Sequence, residues 1–252
     1  MSQSPKVRLV QRVFTLLRKK YGAPEKTEPL PVLETVIVTI LADGTTTERA
    51  AAIFKRLKQN YFDWNEVRVS ATVELQDQLS ELPDAEHRAA RLKSALKFIF
   101  ETTYGFDLES LTKVPMKEVA KRFEKLPHVS DYLVNRVIRD GLGGTAMPLD
   151  TSAVRVLTRV GLIDDKNPPA VLSASLARQI PRARNVEFCH VLSELAAEVC
   201  TEIEPRCKQC CLLELCPYGQ KRLADLQAAA AAAAAAAKRA ASKAKKQRSK
   251  TR

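Results

Sequence analysis

An all-α fold is what this 252-residue sequence predicts, and three observations carry it. Apolar residues recur at three- and four-residue spacing in one segment after another, the pattern of helices that bury one face. Glycines number only 8 and aromatics are few, which argues against a β-sandwich with its frequent tight turns. No convincing pair of strands can be drawn along the chain. At this length the chain buries a substantial core, as one domain or as two lobes.

Residues 6 to 21 read as an amphipathic helix, with Leu9, Val10, Val13, Leu16 and Leu17 spaced helically between basic residues that form a solvated face. The proline-rich stretch Pro24 to Pro31 ends it, because proline lacks the amide a helix interior needs. Helices are then expected at about 32–41, 46–61, 68–79, 85–103, 116–125, 130–141, 151–161 and 186–200. One run is ambiguous: Val36 to Leu41 is rich in β-branched residues and on propensity alone reads as a buried strand. From Gln227 the chain enters ten consecutive alanines, good local helix formers without side chains to build a core.

The net charge of +12 is unevenly spread: residues 238 to 252 hold eight lysines and arginines and no acid. This end is a candidate tether to nucleic-acid phosphates, and equally a solubilising extension. The remaining body is mildly basic, which permits a cationic groove without requiring one. No segment reaches the roughly 20 apolar residues of a membrane helix, and the N-terminus has no uninterrupted apolar core. The chain is expected in the cytoplasm, on the nucleoid if its source is bacterial.

Four cysteines carry the sharpest chemistry. Cys200, Cys207, Cys210 and Cys216 lie in one loop with six, two and five residues between them, closed by Pro217. Four thiolates suit zinc or iron–sulfur. Zinc ribbons usually present two short-spaced pairs on a longer arm, whereas this run is compressed and asymmetric, which favours [4Fe–4S]. Disulfides fit a reducing compartment poorly. Cys189 and Cys211 are assigned to packing.

Around these cysteines, Cys189-His190 through Cys200, then Pro205-Arg206-Cys207 and Leu215-Cys216, resemble the iron–sulfur loop of the endonuclease III branch of the helix-hairpin-helix DNA glycosylases. A second match, in the expected order, joins Leu126-Pro127-His128-Val129-Ser130-Asp131-Tyr132 to Pro148-Leu149-Asp150-Thr151-Ser152. The resemblance covers about residues 5 to 220. It implies two helical lobes with duplex DNA in the cleft between them. The barrel would span 32–144 and carry the hairpin. The cluster lobe would span 145–218, with residues 1–31 packed on it and a disordered basic tail over 219–252. It also makes 36–41 a buried helix and the protein a monomer.

The resemblance further implies roles. Leu126, Pro127, His128, Val129 and Ser130 form the DNA-binding turn, although the usual glycines are replaced by His128 and Ser130, and a carboxylate, Asp131, follows. Tyr132 stands where bifunctional members place a lysine; a phenol forms no imine, so strand cleavage through a Schiff base is not expected. Asp150 aligns with the catalytic aspartate, and it also reads as an N-cap before Thr151. Asp43 takes the place of a glutamine that fills the gap left by a flipped base, and the stretch from Leu82 to Ala89 offers no apolar wedge. Trp64, Tyr61 and Phe62 are expected to pack in the core. The implied function is base-excision repair by a monofunctional DNA glycosylase. The alternative is a catalytically degenerate DNA-binding or damage-sensing protein.

Overall fold

The computed structural model describes residues 5–24, 28–164, 166, 168–180 and 182–250. It is all-α, with no strand among these residues. Helix α1 (Pro5–Tyr21) buries Val10, Val13 and Leu17. After the proline-rich connector come α2 (Val32–Ala42), α3 (Thr47–Asn60), α4 (Trp64–Val69), α5 (Thr72–Gln78), α6 (Ala85–Thr103), α7 (Met116–Phe123) and α8 (Asp131–Arg136). The chain continues through α9 (Thr151–Val160), α10 (Pro169–Gln179), α11 (Arg182–Glu198) and α12 (Pro217–Lys250).

Two hydrophobic cores result. One is built from residues of α2 through α8; the other joins the buried face of α1 to α9, α10, α11 and the cysteine loop. Helix α2 is the axis of the first. Its run of β-branched residues is helical because it is enclosed on nearly every side, where burial outweighs strand propensity. Its two buried threonines cost nothing in lost hydrogen bonds: Thr35 Oγ1 donates to Pro31 O (3.1 Å) and Thr39 Oγ1 to Thr35 O (2.6 Å). At its C-terminus the buried Arg88 guanidinium collects the orphan carbonyls of Ile40 (2.8 Å), Leu41 (3.2 Å) and Asp43. A cation there also opposes the negative end of the helix dipole.

The boundaries depart from expectation in four places. The helix expected at 68–79 is two short helices: Asp63 caps the first through the Glu66 amide (2.8 Å), and an extended Ser70 separates it from the second. Helix α10 lies where no helix is expected; Pro169 starts it, with Leu172 and Leu176 buried one turn apart. The helix expected over 130–141 leaves α geometry at Val137 for one π-helical turn to Gly141. The tail expected to lack structure from 219 is carried as helix to Lys250 by α12, because the alanine run offers no β-branched residue, glycine or proline to interrupt it.

From that π turn the chain doubles back towards α9. Gly144 N–H donates to Ile138 O (2.7 Å), and a Cβ at Gly144 would lie 2.7 Å from Ile138 Cγ2, so no larger residue fits. The following extended strap is tied down by three side chains of the second lobe. Asn185 Nδ2 donates to Ala146 O (2.8 Å), Ser173 Oγ to Met147 O (2.6 Å) and Cys189 Sγ to Pro148 O (3.2 Å). These ties deliver Asp150 to a fixed place at the start of α9.

Candidate functional site

The turn before α8 keeps a shape that glycine usually supplies. His128 sits in the left-handed region at φ +56°. Ser130 is extended at φ −123°, so its side chain carries no backbone strain, and its Oγ accepts from Leu133 N–H (3.3 Å) as the N-cap of α8. Leu126 anchors the turn in the first core while Pro127 and His128 are exposed. The His128 ring meets His87 edge-on at 5.9 Å. Only one of the two missing glycines therefore costs backbone energy. We expect His128→Gly to stabilise the fold by about 0.5–1 kcal/mol, the left-handed strain relieved less the added unfolded-state freedom. A higher urea midpoint at unchanged slope is the result to look for.

Directly behind the turn, Tyr132 and Asp150 are brought together. The Tyr132 hydroxyl accepts from Arg136 Nη1 at 2.6 Å, one helical turn along α8. Burial pushes the phenol up to about 12, with the Asp150 and Asp43 charges adding to the effect against the Arg136 cation. Asp150 is only 4% exposed, and its Oδ1 accepts from Ala153 N–H (2.7 Å), so it is the N-cap of α9. Burial raises its carboxyl to about 6, and the charge of Asp43 adds to the rise, while the Ala153 amide, Arg136 and Arg155 pull the other way. The side chain that caps α9 is thus also a buried carboxyl that holds its proton more tightly than usual.

Asp43 is bound into the same cluster. Its Oδ1 accepts from Thr151 N–H (3.2 Å) and Thr151 Oγ1–H (2.8 Å), and its Oδ2 lies 3.5 Å from Arg91. Behind Tyr132, Asp140 pairs with Arg136 (3.3 Å) and Arg139 (2.6 Å), and Arg139 reaches Asn185 (3.1 Å) and Cys189 (3.2 Å) on α11. Sequence reasoning missed Arg88, Arg91, Arg136 and Arg139. Arg136 alone had a local signal, its i+4 spacing from Tyr132; the others act across distances no motif records.

Of the aromatics, Tyr61 is buried and Trp64 stacks on Phe54 (5.7 Å between centroids), but Phe62 is 95% exposed and does not pack. The reason is the sharp turn at Tyr61 and Phe62 that starts α4, in which Phe62 gives its amide to Glu66 Oε2 (2.5 Å) and its ring to solvent.

Cys200, Cys207, Cys210 and Cys216 all line one small cavity, closed by Leu213, Gly219 and Arg159. Cys189 and Cys211 are not among its walls. Among the described residues, no three His, Cys, Asp or Glu side chains close on a single ion position. Two donors already face the sulfurs: Arg159 Nη1 to Cys200 Sγ (3.3 Å) and Gly219 N–H to Cys216 Sγ (3.3 Å). Arg159 also holds the loop through the Thr201 (2.6 Å) and Glu202 (2.9 Å) carbonyls and lies over the Tyr218 ring.

No family model matches the chain. Its sequence is 27% identical over 189 residues to endonuclease III of Bacillus subtilis, covering 75% of this chain and 82% of that protein. It is 24% identical over 189 residues to a thymine-DNA glycosylase of Aeropyrum pernix, covering 73% and 81%. Among solved structures, a non-covalent endonuclease III–DNA complex superposes with a TM-score of 0.65 at 20% identity, over 88% of this chain and 99% of that one. A thermostable thymine-DNA glycosylase superposes with a TM-score of 0.60 at 20% identity, over 86% and 100%. At those identities the structural matches speak for the fold.

Proposed function

Because the chain belongs to the helix-hairpin-helix DNA glycosylase superfamily, we propose that it is an endonuclease III-like enzyme of base-excision repair, and that its reaction ends at base removal. The observation that carries this reading is a buried Asp150 at the head of α9 with a phenol, Tyr132 on α8, and not an amine, within its electrostatic reach. In the ionised form, Asp150 stabilises the positive charge that grows on the sugar as the glycosidic bond lengthens. Water adds to the anomeric carbon, the base departs, and Asp150 takes up a proton of that water. The Tyr132 hydroxyl, held by Arg136, lines the pocket; it has no amine to form the imine that strand cleavage requires.

Access to Asp150 requires the cleft to open, since the carboxyl is 4% exposed. The backbone of Leu126 to Ser130 would grip a phosphate at the turn, and duplex DNA is the partner. The basic residues 238 to 252 would add phosphate contacts whose loss lowers the salt dependence of binding. We assign Cys200, Cys207, Cys210 and Cys216 as ligands of a [4Fe–4S] cluster: the four thiols line one cavity, and four thiolates in so compact a loop suit that group. When bound, that group cross-links the loop and supplies no atom to the base-removal step. Among the described residues, no helix is long and apolar enough to cross a membrane.

The test is incubation with duplexes carrying uracil, thymine glycol, mismatched thymine, or adenine opposite 8-oxoguanine, each developed with and without hot alkali. Breaks that need alkali, with no adduct trapped by borohydride, are the expected result. Cleavage without alkali would overturn the reading of Tyr132. The burial of Asp150 also favours a second reading, a DNA-binding module without catalysis; duplex binding with every lesion left intact would establish it.

A further inference from the structure

Sequence alone marks Asp43 only as a carboxylate in the place of a gap-filling glutamine, yet the structure gives its carbonyl and both carboxylate oxygens a partner. Its carbonyl accepts from the buried Arg88, its Oδ2 lies beside Arg91, and its Oδ1 takes both the amide and the hydroxyl of Thr151, 108 residues away. Asp43 belongs to the first lobe, at the C-terminus of α2; Thr151 belongs to the second, as the first residue of α9 and the immediate neighbour of Asp150. Arg88 and Arg91 lie one turn apart on α6, so the clasp is anchored in the barrel at both its backbone and its side chain.

We propose that Asp43 is a positioning residue for this site: from the opposite lobe it clasps the amino end of α9 and so holds Asp150 in register with Tyr132. The two carboxylates take two different free amides of that helix end. Asp43 takes the Thr151 N–H and Asp150 takes the Ala153 N–H, so neither competes for the other's donor. The clasp also joins the two lobes beside Asp150, and its loss would free them to shift against each other next to that carboxyl. Proximity of two acids has an electrostatic consequence as well. Asp150 is faced by Asp43 from the turn after α2, by Tyr132 and Arg136 from α8, by Cys189 from α11 and by Arg155 from its own helix. Asp43 is the charged carboxylate among these groups that opposes ionisation of Asp150.

The inference rests on the glycosylase reading for its meaning, but its test does not need activity. Three variants separate the parts: Asp43→Asn keeps an acceptor and removes the charge, Asp43→Ala removes both, and Thr151→Val removes the hydroxyl donor from the other side. Amide exchange at Thr151 and Ala153 is followed by NMR, with the Asp150 carboxyl titrated by carbon-13 shift. In Asp43→Ala both amides should exchange at least tenfold faster, and in Thr151→Val the Thr151 amide should do so. In Asp43→Asn the exchange should stay within threefold of wild type while the Asp150 midpoint falls from about 6. Where a lesion is turned over, kcat should drop tenfold in Asp43→Ala with KM changing less, and the acid limb of the pH profile should move down in Asp43→Asn. Unchanged amide exchange in both Asp43→Ala and Thr151→Val would overturn the positioning role, whatever the activity. If instead no lesion is processed by the wild type while exchange responds as stated, the clasp stands and the glycosylase reading fails.

Discussion

Asp150→Asn is expected to lose activity and gain stability in the same molecule. Asparagine caps α9 as well as aspartate does, so the bond to Ala153 survives. What disappears is the charge proposed to stabilise the sugar cation, an expected loss of about 10²–10³ in kcat for a single preorganised electrostatic partner. The stability effect follows from proton linkage. The folded carboxyl titrates near 6, above the ordinary value of about 3.9, so the folded state holds the proton more tightly than the unfolded chain. Wild-type stability therefore falls as pH rises through the window between about 4 and 6, and is flat above it. Across that window the loss amounts to roughly 3 kcal/mol. Urea unfolding should find Asp150→Asn more stable than wild type at pH 8, by up to that amount, and no more stable at pH 4. A variant that is less stable at pH 8, or that retains full activity, would reduce Asp150 to a cap.

Cys207→Ser is expected to unseat the whole cysteine loop. Residues 200 to 216 hold themselves by single-turn backbone bonds such as Cys210 N–H to Cys207 O (3.2 Å) and Leu213 N–H to Cys210 O (3.1 Å). They contribute few side chains to the second core, chiefly Leu212 and Cys216. So small a core cannot repay the backbone entropy of about 17 ordered residues, at roughly 1 kcal/mol or more each. The proposed group held by four thiolates would supply the difference, and folding would be coupled to it. The variant should lose its iron and its visible absorbance, and its thermal midpoint should fall by more than about 10 °C, since several kcal/mol are removed at once. Helix α12 should loosen with it, because Pro217 begins that helix directly after Cys216 and Gly219 bonds the Cys216 sulfur. Cys211→Ser is the control: that thiol lies outside the cavity and should leave the iron content unchanged. Equal iron in both variants would sink the ligand assignment.

The cysteine loop and the long helices were legible in the chain itself because their determinants are local. Ligand spacing is a property of 17 consecutive residues, and the faces of α1, α6 and α9 repeat within a few turns. Even the substitution of tyrosine for lysine at Tyr132 needed only a short motif to be noticed. The turn preceding α8 was legible as a motif, but its strain was not: that His128 adopts φ +56° while Ser130 does not is decided by how the flanking helices enter the turn. Tertiary structure alone showed that Asp43, which the chain offers only in place of a glutamine, bonds Thr151 across 108 residues. It alone raised the Asp150 carboxyl, because burial and the charges of Asp43, Arg136 and Arg155 act through space and fall off with distance, whatever the order in which the chain presents them.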